Sequence, residues 1–160
     1  MKLKTLLLVA LGASLLCTVS CDKDKKGFSG DPVDLGLSIR WADLNVGAIV
    51  KDDAGSSVTY DEAVDYAAQS KKWSIPTQQQ WEELLNTEGV QVQRTLDPAG
   101  FLIIGKDGMS IFFPGGAYLS STPSSDGGIV YVDMAFALTK PVFRSSSNKS
   151  DKFCVRLVRK

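Results

Sequence analysis

The chain has 160 residues, of which 18 are basic, 18 acidic and none histidine. Such a length suits one ordinary domain plus a leader. The balanced charge argues against nucleic-acid binding, which wants a basic excess. The lack of histidine excludes Ser-His-Asp and Cys-His nucleophiles and His-bearing zinc sites.

Residues 1–20, MKLKTLLLVALGASLLCTVS, read as an export signal. Lys2 and Lys4 form its positive start, and Leu6 to Leu16 form an apolar core too short to span a bilayer comfortably. Thr18-Val19-Ser20 before Cys21, with the polar DKDKKG after it, resembles a bacterial lipoprotein processing site. That resemblance implies that Cys21 becomes the new N-terminus, carries lipid and anchors the protein in a membrane. Thr18 stands where such sites usually have Leu, and the competing readings are an ordinary cleaved leader with a chance cysteine and a retained membrane anchor. Loss of Lys2 and Lys4 with the leader leaves 16 basic against 18 acidic residues, a net charge of −2. Residues 21–32, where Asp22 and Asp24 interleave with Lys23, Lys25 and Lys26, read as a solvated tether.

Residues 33–160 read as one domain. LSIRWAD (37–43) alternates Leu37, Ile39 and Trp41 with Ser38, Arg40 and Ala42, the pattern of a strand. A helix is expected over Tyr60 to Gln69, with Thr59 and Glu62 forming a capping box and Ala63, Val64, Ala67 and Ala68 an apolar stripe. In WSIPTQQQWEELL (73–85), Pro76 blocks continuation from the N-terminal side. Thr77 and Gln80 then cap a second helix over Gln78 to Asn86, with Trp81, Leu84 and Leu85 on one face and Gly89 as the stop. FLII (101–104) and MSIFF (109–113) around Gly105-Lys106-Asp107-Gly108 predict a hairpin. IVYVDMAFAL (129–138) and KFCVRLVR (152–159) supply two more strands, the last alternating Phe153, Val155 and Leu157 with Cys154, Arg156 and Val158. The segments 114–128 and 144–151, rich in Gly, Ser, Pro and Asn, read as connections. The order predicts an α+β domain with an antiparallel sheet and two helices.

VDLGLSIRWADLNVGA (33–48), WSIPTQQQWEELL (73–85), IFFPGGAYLSSTP (111–123) and FCVRLVR (153–159), in that order, resemble the Fibrobacter succinogenes major paralogous domain of surface lipoproteins. The resemblance covers nearly all of residues 33–160 and implies a C-type-lectin-like fold. Leu119 stands where that family usually has Trp, Leu157-Val158 where it has Pro-Val, and the stretch between Ala48 and Tyr60 is short. In such folds the loops between the later strands bind ligand. This implies a site over Tyr118 to Gly128, with Tyr118, Ser120, Ser121, Thr122 and Asp126 facing it and Tyr131 and Asp133 flanking it. The short hydroxyl and carboxyl groups suit a glycan or protein ligand, and they suit a solvated loop equally.

Other chemistry reads as absent. Asp61, Glu62 and Asp65, like Glu82 and Glu83, read as favourable charge near helix N-termini and a solvated face rather than as a paired-carboxylate site. Asp52, Asp53 and Asp61 lack the alternating ligand spacing of a calcium loop. Gly115-Gly116 has no phosphate-binding lysine after it, and Cys154 reads as a small buried residue. The expectation is a non-enzymatic binding module of the cell envelope, in the outer membrane of a Gram-negative bacterium, with no cofactor, no metal and no nucleic-acid partner. A structural or assembly lipoprotein without a small ligand is the alternative.

Overall fold

A computed structural model describes Phe28, residues 30–70 and residues 72–160. The leader, Cys21 and most of the tether lie outside the described residues. The chain forms two helices and three small antiparallel sheets, a mixed α+β architecture. β1 (Pro32–Val33), β2 (Arg40–Asn45) and β9 (Arg156–Arg159) form the first sheet, in the order β1-β2-β9. β3 (Gln91–Leu96), β4 (Ala99–Ile104) and β5 (Ser110–Pro114) form the second. β6 (Ala117–Pro123), β7 (Ile129–Asp133) and β8 (Val142–Ser146) form the third.

Both helices fall where their caps put them. α1 (Tyr60–Gln69) starts at Thr59, whose hydroxyl accepts from the Glu62 N–H while the Glu62 carboxylate accepts from the Thr59 N–H. α2 (Gln78–Asn86) repeats the arrangement with Thr77 and Gln80. Each such box satisfies two backbone donors that the helix itself cannot. Gly89 has a φ of +86°, but α2 has already ended on an extended Thr87; Gly89 instead turns the chain into β3.

The core has two halves divided by strands that are buried on both faces. On one side Trp41, Trp81, Leu84, Phe101, Ile103, Phe113 and Tyr118 pack together, covered by α2 and the β3-β4-β5 sheet. On the other, Val46, Ala63, Leu119, Phe153, Val155 and Leu157 pack beneath α1. The period of two along the last segment is therefore real: Cys154 and Val158 enter the first half, and Phe153, Val155 and Leu157 the second. Cys154 is a buried free thiol, its pKa raised by burial.

Three strand expectations are corrected. The first strand is shifted to Arg40–Asn45, the last is shortened to Arg156–Arg159 with single bridges at Phe153 and Cys154, and the 129–138 run ends at Asp133. Within the segment 114–128, expected to be a connection, Ala117–Pro123 form strand β6. β6 is joined to the last segment by the Leu119 N–H donating to the Cys154 carbonyl (3.0 Å) and the Cys154 N–H donating to the Ala117 carbonyl (2.8 Å).

Candidate functional site

Because β6 lies between the two core halves, most of the residues expected at a ligand site are turned inward. Tyr118 is fully buried: its hydroxyl donates to the Pro114 carbonyl (2.8 Å) and accepts from Asn45 Nδ2 (3.0 Å). Burial raises its pKa well above the usual phenol range. Ser120 is also fully buried, its hydroxyl accepting from the Thr122 N–H. Asp133 is buried as well and bound by Arg144 Nε at 2.7 Å and by the N–H groups of Ala135 and Phe136. Burial opposes its ionisation, but the Phe136 N–H, the Arg144 guanidinium and the Ala135 N–H together hold its carboxyl below the usual value. Tyr131 is half-buried, with its ring 5.2 Å from that of Phe153. These four side chains serve the packing of the strands rather than an open surface. Tyr118→Phe is accordingly expected to cost about 1–2 kcal/mol of stability, for two hydrogen bonds left half-made. It should leave any ligand affinity unchanged, which urea unfolding and binding to one preparation of the variant would check.

Ser121, Thr122 and Asp126 remain near the surface, in different settings. Asp126 is exposed and closes the turn between β6 and β7, accepting from the Ser124 hydroxyl and the Gly128 N–H, which hold its carboxyl below the usual value. Thr122 and Ser121 are neighbours on β6 that open into two separate hollows.

The first hollow, about 270 Å³, lies between the start of α1 and the two turns that end β6 and β8. Tyr60 and Asp61 come from the first turn of α1, Thr122 from β6, Gly128 from the turn before β7, and Ser147 and Lys149 from the segment after β8. Each wall is fixed locally. Thr122 Oγ1 accepts from the Gln78 N–H at 3.0 Å, so its own O–H is left to donate. A side chain at Gly128 would put a Cβ within 2.6 Å of the Ser146 carbonyl, so glycine alone lets that turn approach β8. The 147–150 segment is pinned by the Asn148 amide donating to Asp151 (2.7 Å) and by the Ser150 N–H donating to the Asn148 side-chain oxygen (3.1 Å). Among the described residues neither Asp61 nor Lys149 takes part in an ion pair.

The second hollow, about 420 Å³ and more open, is lined by Tyr60, Val64, Ala67, Trp73, Ile75 and Ser121, among others. Trp73 is half-buried beneath it, with Phe28 edge-on at 5.0 Å and the Arg159 guanidinium 5.1 Å from its ring centre. Trp81, the other tryptophan of that turn, is wholly buried and donates to the Leu119 carbonyl at 3.1 Å.

Among the described residues no group of three or more His, Cys, Asp or Glu side chains converges as a metal site, and no helix is long and apolar enough to cross a membrane. Comparison of the chain with protein-family models, with curated proteins and with solved structures finds no match in any of the three. Sequence reasoning reached Thr122 and Ser121 but missed Tyr60, Asp61, Ser147 and Lys149. These lie tens of residues away along the chain, and only the folded chain brings the start of α1, the end of β6, the turn before β7 and the segment after β8 to the same hollow.

Proposed function

We propose that the protein is a lipoprotein of the cell envelope, anchored in the outer membrane through lipid on Cys21, whose domain binds a glycan or protein ligand and catalyses no reaction. The observation that carries the reading is the first hollow. It sets an acid, a base and short hydroxyls against the Tyr60 ring in a concave space of about 270 Å³. Ligand sites are built in this way, from an apolar wall with a few convergent polar groups. A C-type-lectin-like fold within the paralogous-domain family is the finer reading. The pairing of β2 with β9, which ties the two ends of the domain into one sheet, supports it, as do the two helices against opposite core halves.

The full-length chain in detergent, applied to immobilised glycans and to a peptide array, tests the reading. Asp61→Asn and Lys149→Ala are each expected to weaken the captured ligand at least fivefold without altering the fold. In the same cells, labelled palmitate should enter the wild type and not Cys21→Ser. Silence on both arrays, or an unlabelled wild type, would remove the corresponding half of the proposal.

A second reading, an assembly subunit with no small ligand, has one observation in its favour. Leu96, Phe136 and Leu138 are each at least 80% exposed. Arg94 of β3 donates to the Ala137 carbonyl, so the strand that ends in Leu96 and the 136–138 segment are neighbours. Exposed apolar groups gathered in this way mark partner surfaces. A cross-linked partner lost on Phe136→Ser would favour this reading.

A further inference from the structure

Phe28 is already docked on the domain. Its ring meets Trp73 edge-on at 5.0 Å, and its N–H donates to Ser70 Oγ at the end of α1 (3.4 Å). Gly30 makes room for the ring, since a Cβ there would collide with it. The Asp43 N–H then donates to the Asp31 carbonyl (2.9 Å), and the Asp31 N–H donates to Asp43 Oδ1 (2.7 Å). Only residues 22–27 lie between Cys21 and this attachment. We infer that the face around Phe28, Trp73 and Arg159 lies against the anionic phospholipid headgroups of the membrane that holds the anchor. The inference concerns a surface apart from the first hollow, and it rests on the Cys21 anchor.

Two observations select the membrane as what covers this face. The first is reach. Seven Cα steps separate Cys21 from Phe28, at most about 25 Å of extended chain. A domain of this size has a radius of gyration of about 14 Å and so is about 36 Å across. The attachment face therefore cannot be the one turned away from the bilayer, and a side-on posture would take the tether at full stretch.

The second is charge. Arg40 and Arg159 are opposite one another in the pairing of β2 with β9, so both side chains leave the same face of the sheet. The Arg159 guanidinium lies 5.1 Å from the centre of the Trp73 ring, and Lys72 and Lys160, which flank these two residues in the chain, are exposed. Asp34 pairs with Arg40 (3.4 Å) and Asp43 with Lys51 (4.0 Å), but among the described residues Arg159, Lys72 and Lys160 take part in no ion pair. Three cations thus gather without an anion on a chain whose net charge without its leader is −2. A layer of lipid phosphates supplies that anion. Half-buried Trp73 adds the amphipathic ring favoured at headgroup level, and arginine and lysine beside it can lay their apolar stems along the surface while their charged ends reach the phosphates.

The mature full-length chain, reconstituted into vesicles through its own lipid, tests this by tryptophan fluorescence. Trp41 and Trp81 are fully buried, so a spin label on the lipid headgroup reads chiefly Trp73. In vesicles containing phosphatidylglycerol, the label should quench the wild type and leave Trp73→Phe unquenched. Quenching should fall by about half when Lys72→Glu and Lys160→Glu are combined, and likewise in 1 M salt, where the screening length shrinks to about 3 Å. Both lysines are exposed, and circular dichroism would confirm that the variant folds. Wild-type emission as insensitive to the label as that of Trp73→Phe overturns the inference. Quenching equally strong in neutral vesicles and in the charge variant overturns the recognition of anionic headgroups. A mature chain without lipid on Cys21, which mass spectrometry of its amino terminus reads separately, removes the anchor and this inference with it, while leaving the first hollow as a ligand site.

Discussion

Arg156→Ala should lower the stability of the domain by about 4 kcal/mol, enough to consume much of what a domain of this size possesses. Arg156 is fully buried, yet none of its hydrogen-bond partners is a carboxylate. Its Nε donates to Asn45 Oδ1 at 2.7 Å, one terminal nitrogen to the Ala42 carbonyl at 3.0 Å and the other to the Phe112 carbonyl at 2.8 Å. The guanidinium carbon lies 4.6 Å from the centre of the Phe113 ring. Burial presses the arginine pKa below its usual value, and the three neutral acceptors and the aromatic face stand in for the missing anion. Alanine would remove the fork and leave all three acceptors without their donor, each costing about 1–3 kcal/mol unless water reaches it. Lysine keeps the charge but cannot copy the planar fork, so Arg156→Lys should still cost about 2–3 kcal/mol. Urea unfolding checks both; a midpoint for Arg156→Ala equal to that of the wild type would mean that Asn45, Ala42 and Phe112 find other partners.

Trp81→Ala is the second large effect, at about 4 kcal/mol. Trp81 sits at the centre of an aromatic group, with Trp41 at 4.6 Å, Phe113 at 5.5 Å and Tyr118 at 5.9 Å between ring centres. Alanine would leave a void bordered by all three. A finer comparison separates the packing from the hydrogen bond. The Trp81 indole donates to the Leu119 carbonyl, whereas the equally buried Trp41 indole has no acceptor among the described residues. Trp81→Phe should therefore cost about 1–2 kcal/mol more than Trp41→Phe, since only the first leaves a buried carbonyl without its donor. Thermal unfolding of the two variants side by side decides this, and equal losses would mean that the Leu119 bond contributes nothing net.

The parts of this fold that were legible in the sequence are those encoded locally. Thr59 with Glu62 and Thr77 with Gln80 fix both helix starts within four residues, and Gly105 to Gly108 fix a hairpin by turn chemistry alone. β3 and β8 escaped because QVQRTL and VFRSS are mostly polar edge strands with little apolar alternation to betray them. β6 escaped for the opposite reason. Its serines and threonine look like a loop, and only the two core halves around it show why Tyr118, Leu119 and Ser120 are all buried. Arg156 could not be read as interior, because its acceptors come from β2 and β5, far away in the chain. The first hollow was half legible: Thr122 lay in the expected segment, while Asp61 and Lys149 reach it through packing that no short window contains.

The bond between Arg156 and Asn45 joins residues 111 positions apart, and it lies where β9 completes the sheet begun by β2. Closing so wide a loop is entropically costly before any contact offsets it, so such topologies fold slowly. The two core halves share β9 as a common wall, and neither can be sealed while that strand is still inside the ribosome. A nascent chain of this kind stays pliable until β9 has been synthesised and released. That delay is what a polypeptide needs if it is to be threaded through a narrow translocation channel before it becomes compact.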